Sequence, residues 1–261
     1  MTKLNKLNLK NITEDLLESF ITAGNLAREI SQKGVKITIK PDKSPVTDGD
    51  LAVDKILRTR IKILTPDIPI ISEETVNLNI KSYHKTFWLI DPIDGTKDYI
   101  KKRDEYTLNA ALIIDSKPAV GVVHAPAKDR LFFTYGKDCS FEINNGTKKV
   151  LNCKKIHSNE IIGLQNSDVT PDEVLEIYKK YKVTKTIKMS SSLKFCILAS
   201  GEADIYAAKA RAYEWDIAAG HAILEHAGGT ITTHDEKLIM YGKNQFKNLP
   251  IIAKRTQNLK G

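Results

Sequence analysis

Residues 88–99 read WLIDPIDGTKDY, and more of the fold depends on this stretch than on any other. The apolar residues 87–90, FWLI, predict a short buried strand. Asp91 ends that strand, because Pro92 restricts the residue before it to extended conformations and favours a turn. Asp94 follows three residues later. Two carboxylates are therefore expected close together at the end of a buried strand.

The chemistry of this stretch follows from the paired carboxylates. Two such groups a few Å apart repel each other, so they either share a proton or bind a divalent cation, and an oxygen-rich turn favours the cation. Gly95 allows a tight turn and Thr96 can begin a helix, whose free N–H groups favour an anion such as phosphate. Asp-Pro and Asp-Gly also occur in ordinary surface turns, but those need no apolar strand before them. The stretch predicts metal-assisted phosphate chemistry.

Length and composition are those of an ordinary globular protein. The chain has 261 residues, of which 41% are hydrophobic and 28% charged, enough for one large domain or for two lobes sharing an interface. No apolar run approaches the roughly 18 residues of a membrane-spanning helix, and residues 1–11 lack an apolar export signal. Cys139, Cys153 and Cys196 lack CxxC spacing. These features predict a cytoplasmic protein without a disulfide framework.

The net charge of +8 fits a nucleic-acid-binding protein or an enzyme that attracts acidic substrates. The 40 lysines and arginines are scattered, and aromatic residues make up only 7% of the chain, so no stacking surface for RNA is expected. Electrostatic steering of a small polyanion explains the charge, and a generally basic proteome explains it equally well. No nucleic-acid partner is predicted.

Hydrophobic periodicity predicts regular elements along the whole chain. In the first half it indicates helices over residues 14–33 and 48–64, with a strand over 35–40 and a polar loop between. Residues 106–135 contain three strands joined by short turns, which predicts an antiparallel meander. The elements predicted in the second half are a helix over 171–181, a strand over 183–189, a helix after Ser192, a strand over 203–210 and a helix from Glu214.

Further acidic residues occur at the ends of predicted elements. Asp50 falls in the first turn of a helix, where a carboxylate is favoured by the helix dipole alone, and Asp216 is expected to be the N-cap of another. Glu73 and Glu74 follow the apolar strand IPIIS and form a second candidate ligand pair. Ordinary helix-starting or solvated acids remain the alternative at each of these positions.

Serines open the apolar helix of the second half. Residues 190–192 are three serines with Lys194 beside them, a set that can hold an anion but that also caps a helix well. His221 and His226 are five residues apart and do not share a helix face, so they are not expected to be metal ligands.

Taken together, four motifs resemble the metal-dependent phosphatases of the inositol monophosphatase superfamily, and they occur in the same order over residues 23–229. The motifs are SPVTDGD (44–50), SEE (72–74), WLIDPIDGTKDY (88–99) and WDIAAGHAILEHAGG (215–229). The resemblance implies an α/β (α+β) layered sandwich of the sugar-phosphatase type, with mixed sheets alternating with helix layers. It implies an N-terminal lobe over 1–135, a C-terminal lobe over 136–261 and the metal site between them.

Within that family, GTKDYI with its Lys97 and the later SSLKFC resemble the bacterial 3'(2'),5'-bisphosphate nucleotidases. This resemblance implies hydrolysis of adenosine 3',5'-bisphosphate to AMP and phosphate. The alternatives are inositol monophosphatase or fructose 1,6-bisphosphatase activity at the same metal site, and a non-catalytic nucleotide- or RNA-binding protein on the same fold. Relatives usually carry YPRxGPT before the WD motif, whereas this chain reads YAAKARAYEWD over 206–216.

The resemblance also implies a role for individual residues around two or three magnesium ions. The implied metal ligands are Glu73, Asp91, the Ile93 carbonyl, Asp94 and Asp216. The implied catalytic residues, which position and help deprotonate the attacking water, are Asp50, Thr96 and Glu73. The implied substrate-binding residues are Gly95, Thr96, Lys97, Ser190, Ser191, Ser192 and Lys194.

The partners implied by the resemblance are few. The substrate is expected to be a small nucleotide bisphosphate, and the chain is expected to act as a monomer or homodimer. Peripheral association with the cytoplasmic face of the inner membrane is an additional expectation, taken from some bacterial relatives.

Overall fold

The structure is a computed structural model that describes residues 5–78, 84–153, 160–166 and 169–259. The helices are α1 (Lys6–Lys33), α2 (Asp48–Leu64), α3 (Thr96–Ile100), α4 (Asp172–Lys180), α5 (Leu193–Ser200) and α6 (Glu214–His226). The first strands are β1 (Ile37–Ile39), β2 (Pro45–Thr47), β3 (Ile70–Ser72), β4 (Phe87–Asp94), β5 (Thr107–Ile114), β6 (Lys117–Ala125) and β7 (Arg130–Thr134). The others are β8 (Ser140–Asn144), β9 (Thr147–Val150), β10 (Ile162–Gln165), β11 (Lys185–Lys188), β12 (Ile205–Ala208), β13 (Thr230–Thr233) and β14 (Ile251–Lys254). None of the helices in the described ranges has both the length and the apolar character that crossing a bilayer requires.

A seven-stranded sheet forms the larger half of the fold, in the order β3-β4-β5-β6-β7-β8-β9. Strands β3 and β4 are parallel and all later neighbours are antiparallel, which confirms the predicted meander. The sheet does not end at residue 135, where the sequence analysis places the boundary between lobes, because β8 and β9 extend it to Val150. Strand β9 is exposed along its whole length, so its sequence lacks the hydrophobic pattern of the preceding strands.

Helices cover both faces of this sheet. Trp88 and Ile90 of β4 pack against α1 and α2, whereas Phe87 and Leu89 face α5 and α6. The Trp88 indole N–H donates to the Thr65 hydroxyl at 3.0 Å, which satisfies the polar atom of this fully buried ring. Because both faces are buried, β4 needs the continuous apolar run that the sequence shows.

A second, five-stranded sheet has the order β11-β10-β12-β14-β13. Strands β11, β10 and β12 are parallel, and β14 is antiparallel to both of its neighbours. One face packs on α5 and α6 through Tyr206, and the other packs on α4 through Ile205 and Ala207. The resulting order of layers, helix, sheet, helix, sheet, helix, confirms the layered α/β sandwich.

The structure corrects several local predictions. Helix α1 begins at Lys6 rather than at residue 14, with Asn5 and Asn8 forming reciprocal side-chain caps. The predicted polar loop over 41–50 contains β2, which pairs with β1 as a small antiparallel ribbon. Strand β4 continues past Asp91 to Asp94 through an irregularity in its pairing with β5. Strands β10, β13 and β14 were not predicted.

Candidate active site

The ends of two parallel strands bring the acids together. Glu73 directly follows β3 and its N–H donates to the Ile90 carbonyl of β4 at 3.1 Å, which places it beside Asp91. Asp216 reaches the same point from the first turn of α6. Glu73, Asp91 and Asp216 each offer one carboxylate oxygen, and these oxygens lie within 4.8 Å of one another. The arrangement is that of a metal-binding cluster.

Asp94 lies near this cluster but is not one of the three residues whose oxygens lie within 4.8 Å of one another. The pairing of β4 with β5 is irregular between Asp91 and Asp94, and the charge of Asp94 raises the pKa of Asp91. Gly95 follows with a φ of 91°, and a Cβ at this position would lie 3.3 Å from the Glu105 carbonyl oxygen. Glycine is therefore required for the turn that separates the acids from α3.

Burial makes the charged forms of these acids unfavourable. It raises the pKa of Asp91 well above its usual value, and the charges of Glu73 and Asp94 raise it further. Burial likewise raises the pKa of Asp216 strongly and that of Asp94 to about 6. Asp91 Oδ1 is buried and has no hydrogen-bond partner within the described residues. A divalent cation would satisfy this atom and neutralise its neighbours, so the residues present fit magnesium.

Lys40, which the sequence analysis did not identify, lies beside the cluster. Its Nζ donates to Glu73 Oε1 at 2.9 Å and to Glu74 Oε1 at 2.8 Å. Burial raises the pKa of Glu74 to about 7, although the hydrogen bond from Lys40 opposes the rise. Lys40 comes from the turn between β1 and β2, thirty-three positions before Glu73, so no local sequence pattern could reveal this contact.

Asp50 and Thr96 form a hydrogen-bonded pair next to the acids. Asp50 is the third residue of α2, and its Oδ2 accepts from the Thr47 N–H at 2.8 Å. The Thr96 hydroxyl lies 3.4 Å from Asp50 Oδ1 and 3.1 Å from the Ile93 carbonyl oxygen. Burial raises the pKa of Asp50, whereas the hydrogen bonds from Thr47 lower it. The pair can relay a proton from a water molecule to a fixed carboxylate.

The start of α3 faces the same cleft. Gly95 occupies the N-cap position without a side-chain cap, so the first N–H groups of the helix are open to a ligand. Gly95, Thr96 and the exposed Lys97 all line the cleft.

The structure separates the three serines that were grouped by sequence. Ser190 and Ser191 line the cleft. Ser192 does not, because its hydroxyl hydrogen-bonds to Thr107 at 2.8 Å and also to Asn109 in the interior. Its backbone N–H donates to the Asp94 carboxylate, so Ser192 contacts a predicted metal ligand through its main chain.

Lys194 is a buried cation that lines the cleft. Its Nζ donates to the Ser191 carbonyl and lies 5.2 Å from the centre of the Tyr206 ring. Burial lowers the pKa of Lys194 to about 8, against the attraction of Asp94. A buried ammonium beside a carboxylate cluster can bind an anionic ligand.

The cleft as a whole has a volume of about 490 Å³. Residues that the sequence analysis did not identify also line it, and several lie in the segment that departs from the family pattern. They include Asn166, from the end of β10, and Tyr206, Lys209, Arg211, Tyr213 and Trp215 of that segment. Tyr213 stacks on Trp215 with ring centres 4.6 Å apart. In the sequence, this side of the cleft was indicated by two basic residues before the WD motif, Lys209 and Arg211.

The two histidines of α6, His221 and His226, each hydrogen-bond to a hydroxyl on a neighbouring segment. His221 Nδ1 lies 2.8 Å from the Tyr241 hydroxyl, and His226 Nδ1 lies 2.9 Å from the Thr134 hydroxyl. Burial lowers the pKa of each ring, to about 3 for His221 and about 4 for His226. Both rings are therefore neutral at physiological pH and anchor α6 to its neighbours.

Comparisons with known proteins agree with one another. The inositol monophosphatase family model matches residues 8–260. The 3'(2'),5'-bisphosphate nucleotidase CysQ of Buchnera aphidicola subsp. Acyrthosiphon pisum is 37% identical over 242 residues, which cover 89% of this chain and 90% of the relative. CysQ of Salmonella typhimurium is 34% identical over 210 residues, covering 80% and 84%. The crystal structure of CysQ from Bacteroides thetaiotaomicron matches with a TM-score of 0.77 at 26% identity, covering 94% and 97%.

Proposed function

Because the chain belongs to the inositol monophosphatase family, we propose that it hydrolyses adenosine 3',5'-bisphosphate to AMP and phosphate, with magnesium as its cofactor. The family is one of metal-dependent phosphatases, and the similar bacterial proteins are named 3'(2'),5'-bisphosphate nucleotidases. The observation that carries the proposal is the cluster of three carboxylates around the unpartnered Asp91 Oδ1. Such a cluster is unfavourable in a protein without a cation.

Two groups of residues would hold the metal. Glu73, Asp91 and the Ile93 carbonyl would bind one ion, and Asp91, Asp94 and Asp216 would bind a second. When bound, magnesium neutralises phosphoryl oxygens and lowers the pKa of a coordinated water. Lys40 neutralises Glu73 when no ion is present, which keeps the carboxylate in place.

Thr96 and Asp50 would remove the proton from the attacking water. The Thr96 hydroxyl can accept a hydrogen bond from water while donating its own proton toward Asp50 Oδ1, 3.4 Å away. The raised pKa of Asp50, caused by burial, makes this carboxylate a better proton acceptor than an exposed aspartate. The Thr47 N–H fixes Asp50 Oδ2 and leaves Oδ1 directed at Thr96.

The phosphate itself would bind at the start of α3. The N–H groups of Gly95 and Thr96 favour an anion there. Lys97 is exposed, so its flexible side chain can bind the phosphate of an incoming substrate. Lys194 is buried and holds a fixed charge beside Asp94. Ser190 and Ser191 also line the cleft and can contact the sugar.

Phosphate release from three substrates tests this proposal. We expect turnover of adenosine 3',5'-bisphosphate with magnesium and none with EDTA, and slower turnover of inositol 1-phosphate and fructose 1,6-bisphosphate. Preference for either sugar phosphate would keep the metal chemistry and overturn the nucleotide assignment. No release from any of the three would favour a binding protein on the same fold.

A matched pair of variants separates catalysis from general charge effects. Asp94→Asn removes one implied ligand and is expected to abolish phosphate release. Asp67→Asn removes an exposed carboxylate from the turn before β3 and is expected to leave the rate unchanged. Equal activity of both variants would contradict a metal-dependent mechanism at this site.

A further inference from the structure

The segment from Tyr206 to Tyr213 places an arginine at the mouth of the cleft. We propose that Arg211 binds the second phosphate of the substrate, the one that is not transferred, and thereby selects bisphosphates over monophosphates. This inference rests on the proposed function, because it concerns the same cleft and the same substrate class. It concerns a residue of this chain that lies where the sequence departs from the YPRxGPT pattern of relatives.

Within the described part of the chain, Arg211 lacks the carboxylate partner that several other arginines have. Arg58, Arg130 and Arg255 each form an ion pair with a carboxylate at 3.0 Å or less. The guanidinium of Arg211 is exposed and makes no hydrogen bond or ion pair with any residue that the structure describes. Five N–H donors are therefore available to a ligand at this position.

Arg211 lies between the main cleft and a neighbouring cavity, because it lines both. Arg211 lines the main cleft together with Asp91 and Asp216. It also lines a smaller adjoining cavity of about 160 Å³, which contains neither acid and is walled by residues such as Thr170 and Val174. A substrate that extends from the acids toward the smaller cavity must pass the guanidinium.

The charge of Arg211 reaches into the cleft. Burial has the largest effect on the pKa of Lys194 and lowers it, and the charge of Arg211 lowers it further. The charge of Arg211 also lowers the pKa of Asp94 and of Asp216, so Arg211 and Lys194 are two cations that act on the same cleft. Lys209 adds a third charge, but its Nζ lies 3.6 Å from Glu173 and is partly neutralised.

The backbone that carries Arg211 is held in place. Asn248 donates its backbone N–H to the Ala212 carbonyl at 3.0 Å and its side-chain N–H to the Tyr213 carbonyl at 2.7 Å. The Tyr213 N–H donates to Asp216 Oδ2 at 2.8 Å, which links this segment directly to a predicted metal ligand. The arginine is therefore positioned relative to the acids before a ligand arrives.

Phosphate is the ligand that this geometry fits. A planar guanidinium forms two parallel hydrogen bonds to phosphate oxygens, which lysine cannot do. Inositol 1-phosphate carries only the phosphate that is transferred, so it would leave Arg211 without a partner. A nucleoside 3',5'-bisphosphate supplies a second phosphate on the opposite side of the ribose.

The experiment compares Arg211→Gln with the wild type on adenosine 3',5'-bisphosphate and on adenosine 3'-monophosphate, which lacks the second phosphate. We expect kcat/KM for the bisphosphate to fall about 10- to 100-fold, mainly through KM, and to change by less than about threefold for the monophosphate. Inhibition by AMP, which retains the 5'-phosphate, should weaken by a similar factor. Arg211→Lys should recover part of the loss.

Arg103→Gln is the matched control, because Arg103 is also an exposed cation near α3 but does not line the cleft. An equal loss on both substrates would overturn the inference, since Arg211 would then act on the transferred phosphate or on the base. If the wild type turns over the bisphosphate and Arg211→Gln has the same kcat/KM, the inference is overturned but the proposed function stands. Absence of wild-type turnover would overturn the proposed function as well.

Discussion

The two sides of the cleft differ in how their residues are held. The acidic side, defined by Asp50, Glu73, Asp91 and Asp94, is built from strand ends and a helix start, and Asp50 and Asp91 are each only 1% exposed. The basic side, defined by Lys209 and Arg211, lies in the segment after β12, where both cations are exposed. The chemistry thus depends on buried groups that the fold fixes, and selection depends on exposed groups that can change without disturbing the core.

Substitution of the most buried acid should give the largest effect. We expect Asp91→Asn to lower kcat by about four orders of magnitude or more, because both proposed metal positions share this carboxylate. In EDTA at pH 8 the same variant should be more stable than the wild type, since it removes the burial and repulsion that raise the pKa of Asp91. A gain of 1 kcal/mol corresponds to about 2–4 °C in Tm for a chain of this size.

Calorimetry in EDTA and phosphate-release assays with magnesium check both parts of this prediction. A variant that lost activity and stability together would show that Asp91 acts mainly as a structural residue. That result would remove the distinction between the two sides of the cleft.

Removal of the hydroxyl next to the acids should give the second largest effect. We expect Thr96→Val to lower kcat about a hundredfold, the lower end of the contribution of general base catalysis, with little change in KM. Thr96→Ser keeps the hydroxyl and should retain most of the activity. Steady-state kinetics distinguish these variants, and equal rates for valine and serine would exclude Thr96 from the proton path.

A substitution that disturbs the packing of α6 on the large sheet should have a moderate effect on stability and on the magnesium requirement. A Cβ added at Gly121 of β6 would lie 2.4 Å from the Ala219 carbonyl oxygen of α6, so the helix backbone must move. We expect Gly121→Ala to lower the free energy of unfolding by about 1–3 kcal/mol and to raise the magnesium concentration needed for activity, since α6 carries Asp216. Lys117→Ala, at the exposed start of the same strand, is the control.

Thermal unfolding and magnesium titrations measure this effect. A loss of stability with an unchanged magnesium requirement would show that the position of Asp216 does not depend on this contact. The acidic side would then be less rigid than the structure indicates.

The smallest expected effect is a pH-dependent difference in Tm between the wild type and Asp94→Asn. Asp94 has a folded pKa raised by burial to about 6, above its usual value of 3.8, so its stabilising contribution is complete below pH 3.8 and is lost as pH rises through 6. In EDTA, the Tm of the wild type should therefore lie below that of Asp94→Asn at pH 8, and the gap should close as pH falls toward 4. The stabilisation by magnesium should disappear over the same range, because protons compete for the ligands.

Scanning calorimetry at several pH values, with and without magnesium, provides this test. A constant gap between wild type and variant from pH 8 to pH 4 would mean that Asp94 is not perturbed by its surroundings. Exposed pairs such as Asp235 and Lys237 are common to both proteins and cancel in the difference.

Much of the fold could be predicted from sequence because its elements have strong periodicity. The meander and helices α2 and α4 to α6 were predicted, and the family resemblance and layered fold are confirmed. The start of α1 was missed because its first turn carries Leu7, which is 65% exposed and gives no amphipathic signal. Strands β10, β13 and β14 were missed because each has only four residues, too few for a clear alternating pattern.

The candidate site was only partly accessible to sequence reasoning. Asp91 and Asp94 stand in one local motif, so their proximity follows from chain geometry, and their roles as ligands remain a prediction. Asp216 was expected at the N-cap of α6 but lies three positions further on, where it accepts the Tyr213 N–H. Lys40 reaches Glu73 from the distant turn between β1 and β2, and no periodicity in a single sequence reports such a contact. Arg211 lies in the segment before the WD motif, where the sequence shows its charge but not that it lines the cleft.

The two tryptophans of the chain lie in places that serve different measurements. Trp215 lines the cleft and stacks on Tyr213, whereas Trp88 is enclosed in the core with its indole bonded to Thr65. Emission from Trp215 should respond to a nucleotide that enters the cleft, and emission from Trp88 should change only when the sheet opens. The protein therefore contains an intrinsic optical probe of occupancy and a separate one of folding.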